Sequence, residues 1–333
     1  MSSVHHDTDS MSALETVTAF APATVANVAV GFDILGFPIE AAGDTVRLER
    51  IDSPTVEIDE IDTSAIEEES DEPVNLPSDP EKNVAGHVLL KFIDAYELPF
   101  GFRLRLKKGI PLSSGMGGSS ASAAAALTAA ALFVHPVPGP EELLGFALEG
   151  ERCASGAAHG DNVTPCLFGG LTLLRSLAQR EVVRLPFPEQ VRVVLVHPDL
   201  RLDTREGRLA LGSQAPIETF VAQSANLAGF IAGCFRGDLD LVARSLKDEL
   251  VEARRAPLVK GFAEVKAAAL RAGAMGMSLS GSGPAVFAWC RSDGEAEKVR
   301  EAIERSWNGM GVDTRGWVSI ISGEGARVIE RQG

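Results

Sequence analysis

At 333 residues the chain is long enough for two domains, each with its own core. Hydrophobic residues make up 45% and charged residues 23%, an ordinary balance for a folded globular protein. The formal net charge of −15 argues against nucleic acid or an anionic membrane as a partner.

That charge is uneven. Residues 52–81 hold twelve Asp and Glu and no Lys or Arg, and they read as a solvated insertion or mobile loop rather than a metal site. The four cysteines (Cys153, Cys166, Cys234, Cys290) form no C-x-x-C and no disulfide spacing, so reduced, mostly buried thiols in a cytoplasmic protein are expected. No run of about 18 apolar residues is present to span a membrane. Residues 1–13 lack the apolar core of a signal peptide and read as a disordered leader, in which His5-His6 is too isolated for a metal site.

In chain order, residues 14–21 alternate with β-branched positions and predict a strand. Residues 22–36, P-A-T-V-A-N-V-A-V-G-F-D-I-L-G, place Asn27 and Asp33 among small and apolar neighbours, where an unpaired carboxylate is costly. They fit a turn-making loop and a binding site equally well. Strands are expected at 44–51 and 54–59. A helix follows at 83–95, capped by Asn83 after Pro80.

The strand 102–107 feeds P-L-S-S-G-M-G-G-S-S-A-S-A-A-A-A-L-T-A-A-A-L at 111–132. Glycine lets several N–H groups converge, and a helix starting there adds unpaired donors and the positive end of its dipole. Together they predict a phosphate site. A Walker loop is excluded because no lysine follows the glycines, and the dinucleotide fingerprint fails because Ser120 stands where its third glycine belongs.

Another helix starts at Pro140, and on it Leu144, Leu148 and Glu151 share a face. A carboxylate on that apolar stripe suggests a cation, although an exposed-edge glutamate would give the same spacing. Residues 154–170, A-S-G-A-A-H-G-D-N-V-T-P-C-L-F-G-G, hold His159, Asp161 and Asn162 between glycines, a pattern suited to a small polar ligand. A domain boundary is placed near Arg175, after the Gly-Gly turn. A buried strand at 191–197 precedes L-D-T-R-E-G-R at 202–208, and helices are expected at 217–236, 238–250 and 260–272. Two strands flank Ser280-Gly281-Ser282-Gly283-Pro284 within 277–290, a glycine turn able to close over the phosphate site. A helix at 294–307 and a strand at 315–321 finish the chain, which has no internal repeat.

Five of these stretches carry a family resemblance. Pro111, Gly115, Met116, Gly117, Gly118, Ser119, Ser120 and Ala121 resemble the Pro-x-x-x-Gly-Leu-Gly-Ser-Ser-Ala motif of the GHMP kinases, with Gly118 standing where Ser is usual. Residues 22–36 resemble the Pro-x-x-x-Ala-Asn-x-x-x-Gly-Phe-Asp-x-x-Gly pattern of the homoserine kinases, while the galactokinase signature Gly-Glu-His-x-Asp is absent. Ser155, Gly156, His159, Asp161, Asn162, Val163 and Pro165 match that family's Ser-Gly-x-x-His-x-Asp-Asn-Val-x-Pro. Thr204, Glu206 and Arg208 match its shorter Thr-Glu-Arg segment, and Gly276, Ser280 to Pro284 and Phe287 its third motif.

The resemblance implies an α+β, two-domain GHMP kinase fold. Its phosphate-loop nucleotide domain would span 14–175 and its ferredoxin-like α/β domain 176–333. It implies ATP-dependent phosphorylation of L-homoserine, with Mg2+, in threonine biosynthesis. ATP would be bound by Asn83, Pro111, Leu112, Ser113, Ser114, Gly115, Met116, Gly117, Gly118, Ser119 and Ser120. Ser119 and Glu151 would ligate the metal. Arg208 and Arg255, with Arg254 adjacent as the other candidate, would bind the substrate carboxylate, and Asp33 its ammonium. Asn27, His159 and Asn162 would orient its hydroxyl. Asn162 cannot accept a proton, so no dedicated side-chain base is expected. The expected partner is the small-molecule substrate, with no nucleic acid or membrane, and a homodimer is left open. Another GHMP kinase acting on mevalonate or a sugar, and a non-catalytic nucleotide-binding module, are the alternatives.

Overall fold

The computed structural model describes residues 14–67, 76–202 and 204–333. The leader at 1–13, with His5 and His6, and residues 68–75 of the acidic segment lie outside the described residues. The chain opens with strands β1 (Thr16–Ala26), β2 (Leu35–Ile51) and β3 (Val56–Asp62), then helices α1 (Ser64–Glu67) and α2 (Val84–Ala95). Strand β4 (Gly101–Lys107) leads to α3 (Gly118–Ala131), α4 (Pro140–Ser155) and α5 (Gly160–Phe168), and then to the hairpin β5 (Leu171–Ser176) and β6 (Glu181–Leu185). The second half runs β7 (Arg192–Pro198), α6 (Thr204–Leu209), α7 (Ile217–Arg236), α8 (Leu239–Ser245), α9 (Glu252–Arg255) and α10 (Phe262–Arg271). It ends with β8 (Gly276–Leu279), β9 (Val286–Cys290), α11 (Asp293–Asn308), β10 (Thr314–Ser319) and β11 (Arg327–Gln332).

The first sheet orders its strands β11-β1-β2-β4-β3, with β5 on β2 and β6 on β5. Its pairs are antiparallel except β3 with β4. Helix α3 lies against β1 and β2 and is flanked by α2, α4 and α5. It is apolar on every side, and each alanine from Ala121 to Ala131 is buried. That is the behaviour of a helix with no solvent face, and the methyl side chains let its neighbours pack close to its axis. The start of this buried helix is thereby fixed in space.

The second sheet, β10-β7-β9-β8, is antiparallel throughout. Its elements follow the order β-α-β-β-α-β of a ferredoxin-like unit. One face packs Val194, Val196 and Ala288 with Ile303 and Trp307 of α11. The other turns Phe287 and Trp289 onto Phe37 of β2, with ring centroids 6.1 and 5.8 Å apart. The cores of the two halves therefore touch, and the cleft between them has firm walls.

Several boundaries differ from the sequence reading. Residue 175 falls inside β5, whose hairpin extends the first sheet to Leu185, and the terminal strand β11 returns to pair with β1. The acidic segment is a solvated loop only in part. The strand expected at 54–59 forms as Val56–Asp62, two residues on at its start and three at its end; in it Val56 is buried and Glu57 and Asp59 face Arg103 and Arg105 of β4. The helix expected at 238–250 stops at Ser245, because Asp248 accepts from the amides of Leu250, Val251 and Glu252 and starts a new turn. The segment after His159 is helical although Pro165 lies within it; the turn that proline interrupts is short.

Candidate active site

The two halves enclose a cavity of about 640 Å³. Its floor is the segment joining β4 to α3. Gly117 caps α3 in a left-handed conformation (φ 71°, ψ 30°) with no side-chain capping bond, which leaves the first-turn amides free for an anion. Gly115 is also left-handed, and a Cβ there would fall 2.4 Å from the Ser280 carbonyl oxygen, so the position requires glycine. The Ser280 turn clasps the loop: its hydroxyl donates to the Gly115 carbonyl at 2.7 Å, and the Ala285 amide donates to the Ser114 carbonyl at 3.0 Å. Pro111, Leu112, Ser113, Ser114, Gly115, Gly117, Gly118 and Ser119 line the cavity. Met116 and Ser120 do not: Met116 turns into the core and Ser120 donates to Glu151.

Glu151 is buried, as its helix face suggested, and accepts from the hydroxyls of Ser119 and Ser120 at 2.9 and 2.7 Å. Burial raises its pKa above the ordinary carboxyl range, and the two serines offset this in part. A buried carboxylate beside a loop hydroxyl is an oxygen set that fits a hard divalent cation. Asn83 accepts from the amides of Ala85 and Gly86 and donates to the Pro77 carbonyl, so it is the cap of α2 and also borders the cavity.

The opposite end of the cavity is charged. β1 runs into three consecutive left-handed residues, Asn27, Val28 and Ala29 (φ 67°, 47° and 59°), a costly arrangement for side chains with a Cβ. It is held from several sides. The Asn27 side chain donates to the Gly281 carbonyl at 2.9 Å and accepts from the Asp33 amide at 2.9 Å, while Gln223 donates to the Val30 carbonyl at 3.0 Å. This turn presents Phe32 and Asp33. The Arg208 guanidinium from α6 grips the Asp33 carboxylate at 2.8 and 3.2 Å and lies against the His159 ring. Burial and the Arg208 charge depress the His159 pKa, which favours its neutral form.

Arg255 is 2% exposed and donates to the carbonyls of Gly207 and Gly281, each at 3.0 Å. Arg254 turns away, to the Leu211 and Gln214 carbonyls, and does not line the cavity. Both Arg208 and Arg255 stack near Phe32, 5.3 and 5.2 Å from its centroid, so that aromatic ring spaces two like charges. Asn162 accepts from the Thr24 hydroxyl at 2.7 Å, just beneath Gly117.

Residues to which the sequence reading gave no specific role also line this space: Asp161, named there only within a pattern suited to a polar ligand, and Lys108 and Ser122. Asp161 is buried, and desolvation, with the nearby Asp33 and Glu151 charges, pushes its pKa up to about 7. Lys108 and Ser122 reach the floor from below. Asp161 stood inside a quoted motif, and Lys108 directly precedes the phosphate loop, but neither spacing reveals which way the side chain turns.

Similarity to known proteins agrees with this geometry. The family model described as "GHMP kinases N terminal domain" matches residues 83–170, and "GHMP kinases C terminal" matches 230–309. A homoserine kinase of Xanthomonas campestris pv. campestris (strain B100) is 46% identical over 316 residues, covering 95% of each chain. One of Chlorobium phaeobacteroides (strain DSM 266) is 42% identical, covering 95% of this chain and all of its own. The crystal structure of homoserine kinase from Cytophaga hutchinsonii superposes with a TM-score of 0.89 at 38% identity, over 95% of this chain and 98% of that one.

Proposed function

Because the chain belongs to the homoserine kinase family of the GHMP kinases, we propose that it transfers the γ-phosphoryl group of ATP to the side-chain hydroxyl of L-homoserine. The product is O-phospho-L-homoserine, an intermediate of threonine biosynthesis, and the reaction takes place in the cytoplasm. The observation that carries this reading is that one cavity has an anion-binding loop at one end and a cluster of Asp33, Arg208, Arg255 and His159 at the other. A phosphate donor and a zwitterionic acceptor fit those ends respectively.

Phosphoryl transfer asks for positioning and charge neutralisation more than for covalent chemistry. The amides of the loop and of the start of α3 hold the β- and γ-phosphates. Ser119 and Glu151 supply oxygens for Mg2+, which when bound neutralises phosphate charge. Arg208 and Arg255 take the homoserine carboxylate, Arg208 exchanging its hold on Asp33 for the substrate, so that Asp33 is released for the ammonium. This swap lets the charges stay compensated with and without the acceptor. Asn27, His159 and Asn162 orient the hydroxyl. Asn162 cannot accept its proton, which passes to phosphate or solvent; the buried Asp161 carboxyl, with a pKa pushed up to about 7, and the neutral His159 imidazole are the cavity side chains that could compete for it.

A coupled ADP-release assay with homoserine, mevalonate and galactose tests the reading. Turnover with homoserine alone is expected. Preference for either of the other two would make this a different GHMP kinase, and no turnover with any would make it a nucleotide-binding module.

A further inference from the structure

The acceptor end depends on a segment with little apolar anchoring. From Leu209 to Ala222 no residue is buried, and Leu209 is 78% exposed. Helix α6, which carries Arg208, is six residues long and runs straight into this stretch. A segment without buried apolar side chains is located by its polar contacts. Two adjacent arginines of α9 supply them. Arg255 donates to the carbonyl of Gly207, the residue before Arg208. Arg254 uses both terminal nitrogens, Nη1 donating to the Leu211 carbonyl and Nη2 to the Gln214 carbonyl. Gly212 is left-handed (φ 63°) between those two acceptors, which turns them toward one guanidinium. The two arginines thus bracket Arg208 from both sides.

The base from which they reach is firm. Asp248 accepts from the amides of Leu250, Val251 and Glu252 at 2.8, 2.8 and 3.0 Å and fixes the start of α9. The Glu252 carboxylate accepts from the Ser278 hydroxyl of β8 at 2.6 Å and from Lys266 of α10. Gln223 accepts from the Glu249 amide at 2.8 Å while donating to the Val30 carbonyl, so the same base is joined to the turn that presents Asp33.

Arg208 has one further tie, its paired hydrogen bonds to Asp33. On the proposed reading that tie is given up when the acceptor carboxylate takes its place. Arg208 and Arg255 then stand side by side with like charges, and after burial it is the Arg208 charge that weighs most against the Arg255 cation. What resists an outward shift of α6 at that point is the clasp of Arg254, a side chain that does not itself line the cavity.

We propose that Arg254 is a positioning residue: its clasp on the Leu211 and Gln214 carbonyls keeps α6, and with it Arg208, in place while Arg208 passes from Asp33 to the acceptor carboxylate. The proposal rests on the acceptor reading given above, and its test has one arm that does not. The amides of Ala210, Leu211 and Gly212 donate to the carbonyls of Glu206, Arg208 and Leu209, so their hydrogen exchange reports on this connector. In the full-length Arg254→Met variant that exchange should be about tenfold faster, with exchange at 27–33 and the melting temperature near wild type. KM for homoserine should rise about tenfold while KM for ATP stays within about twofold. Arg254→Lys, which reaches one carbonyl at a time, should fall between the two. In the Arg208→Lys background, Arg254→Met should add less than about twofold, because the fork it positions is already gone.

Unchanged exchange or an unchanged KM for homoserine in the folded Arg254→Met variant would overturn the proposal. A full tenfold increment on top of Arg208→Lys would do the same, since the two residues would then act independently. Should Arg254→Met not fold, Arg254→Lys reads the same exchange and the same KM with the same outcomes. Wild-type turnover of mevalonate or galactose but not homoserine would instead sink the acceptor reading, and the exchange arm would still decide the clasp.

Discussion

The two ends of the cavity hold charge in different ways. The end proposed for phosphate is one continuous stretch, residues 111–119, offering backbone amides and hydroxyls, with Glu151 the carboxylate added from α4. The acceptor end is assembled from side chains on four separate elements, and Asp33 and Arg208, which grip each other, are 175 residues apart in sequence. An anion with many equivalent oxygens can be held by converging N–H groups from one turn. A zwitterion needs a cation and an anion held at a fixed distance, and these must be balanced by each other when the ligand is absent. Arg208 and Asp33, paired with each other here, would meet both needs on the proposed reading.

Substitutions at the two ends should therefore fail differently. The largest effect is expected at the phosphate end. Glu151→Gln should lower kcat by about 10- to 100-fold, the range for disturbing a metal site's support. The protein should stay folded, since a neutral side chain relieves the burial cost that raises the Glu151 pKa. Unchanged turnover with a normal melting curve would remove Glu151 from the metal site.

At the acceptor end Arg208→Lys keeps the charge but loses the paired donors. KM for homoserine should rise by about tenfold, equivalent to ~1.4 kcal/mol, while KM for ATP barely moves. The methyl ester of homoserine should bind wild type poorly, and the variant should distinguish acid from ester less. Equal defects toward ATP and homoserine would erase the proposed division of the cavity into two ends.

Between the two ends sits Asp161, with a pKa of about 7 in the fold against an ordinary value of 3.8. The folded state binds this proton more tightly than the unfolded chain. The contribution of Asp161 to stability is therefore full below about pH 4 and is lost as pH rises through 7. Thermal melts of wild type and Asp161→Asn should show the variant gaining on wild type from pH 5 to pH 8; parallel curves would contradict the burial argument. The same variant tests Asp161 as acceptor of the hydroxyl proton. A kcat within about threefold of wild type removes it from that role, a shift of ~0.7 kcal/mol at most.

The smallest effect is expected far from the cavity, in the acidic strand β3. The Glu57–Arg103 and Asp59–Arg105 pairs are largely exposed. Glu57→Gln and Asp59→Asn should each change unfolding free energy by under about 0.5 kcal/mol and leave kcat unchanged. A larger loss would show that these carboxylates do more than solvate a strand edge.

The glycine turn before α3, the helix itself, the Asn83 cap and the Glu151 stripe were legible in the chain because each depends on neighbours within a few residues. Glycine conformation, helix periodicity and capping are local properties, and residues 111–132 contain nearly all that fixes their own shape. The β5–β6 hairpin and the return of β11 to β1 were not legible, because pairing partners lie far along the chain; the strand expected at 54–59 was, but not its parallel partner β4. Arg255 was named over Arg254 by resemblance alone, and nothing in the residues themselves separates the two. Adjacent residues on a short helix point about 100° apart, and only the packing of α9 against Gly207 and Gly281 decides which one enters the cavity. Lys108 makes the same point from the opposite side. Its sequence position marks it as the residue after an alternating strand, and it is the fully buried Asp44, 64 residues earlier, that turns its charge inward beneath the loop.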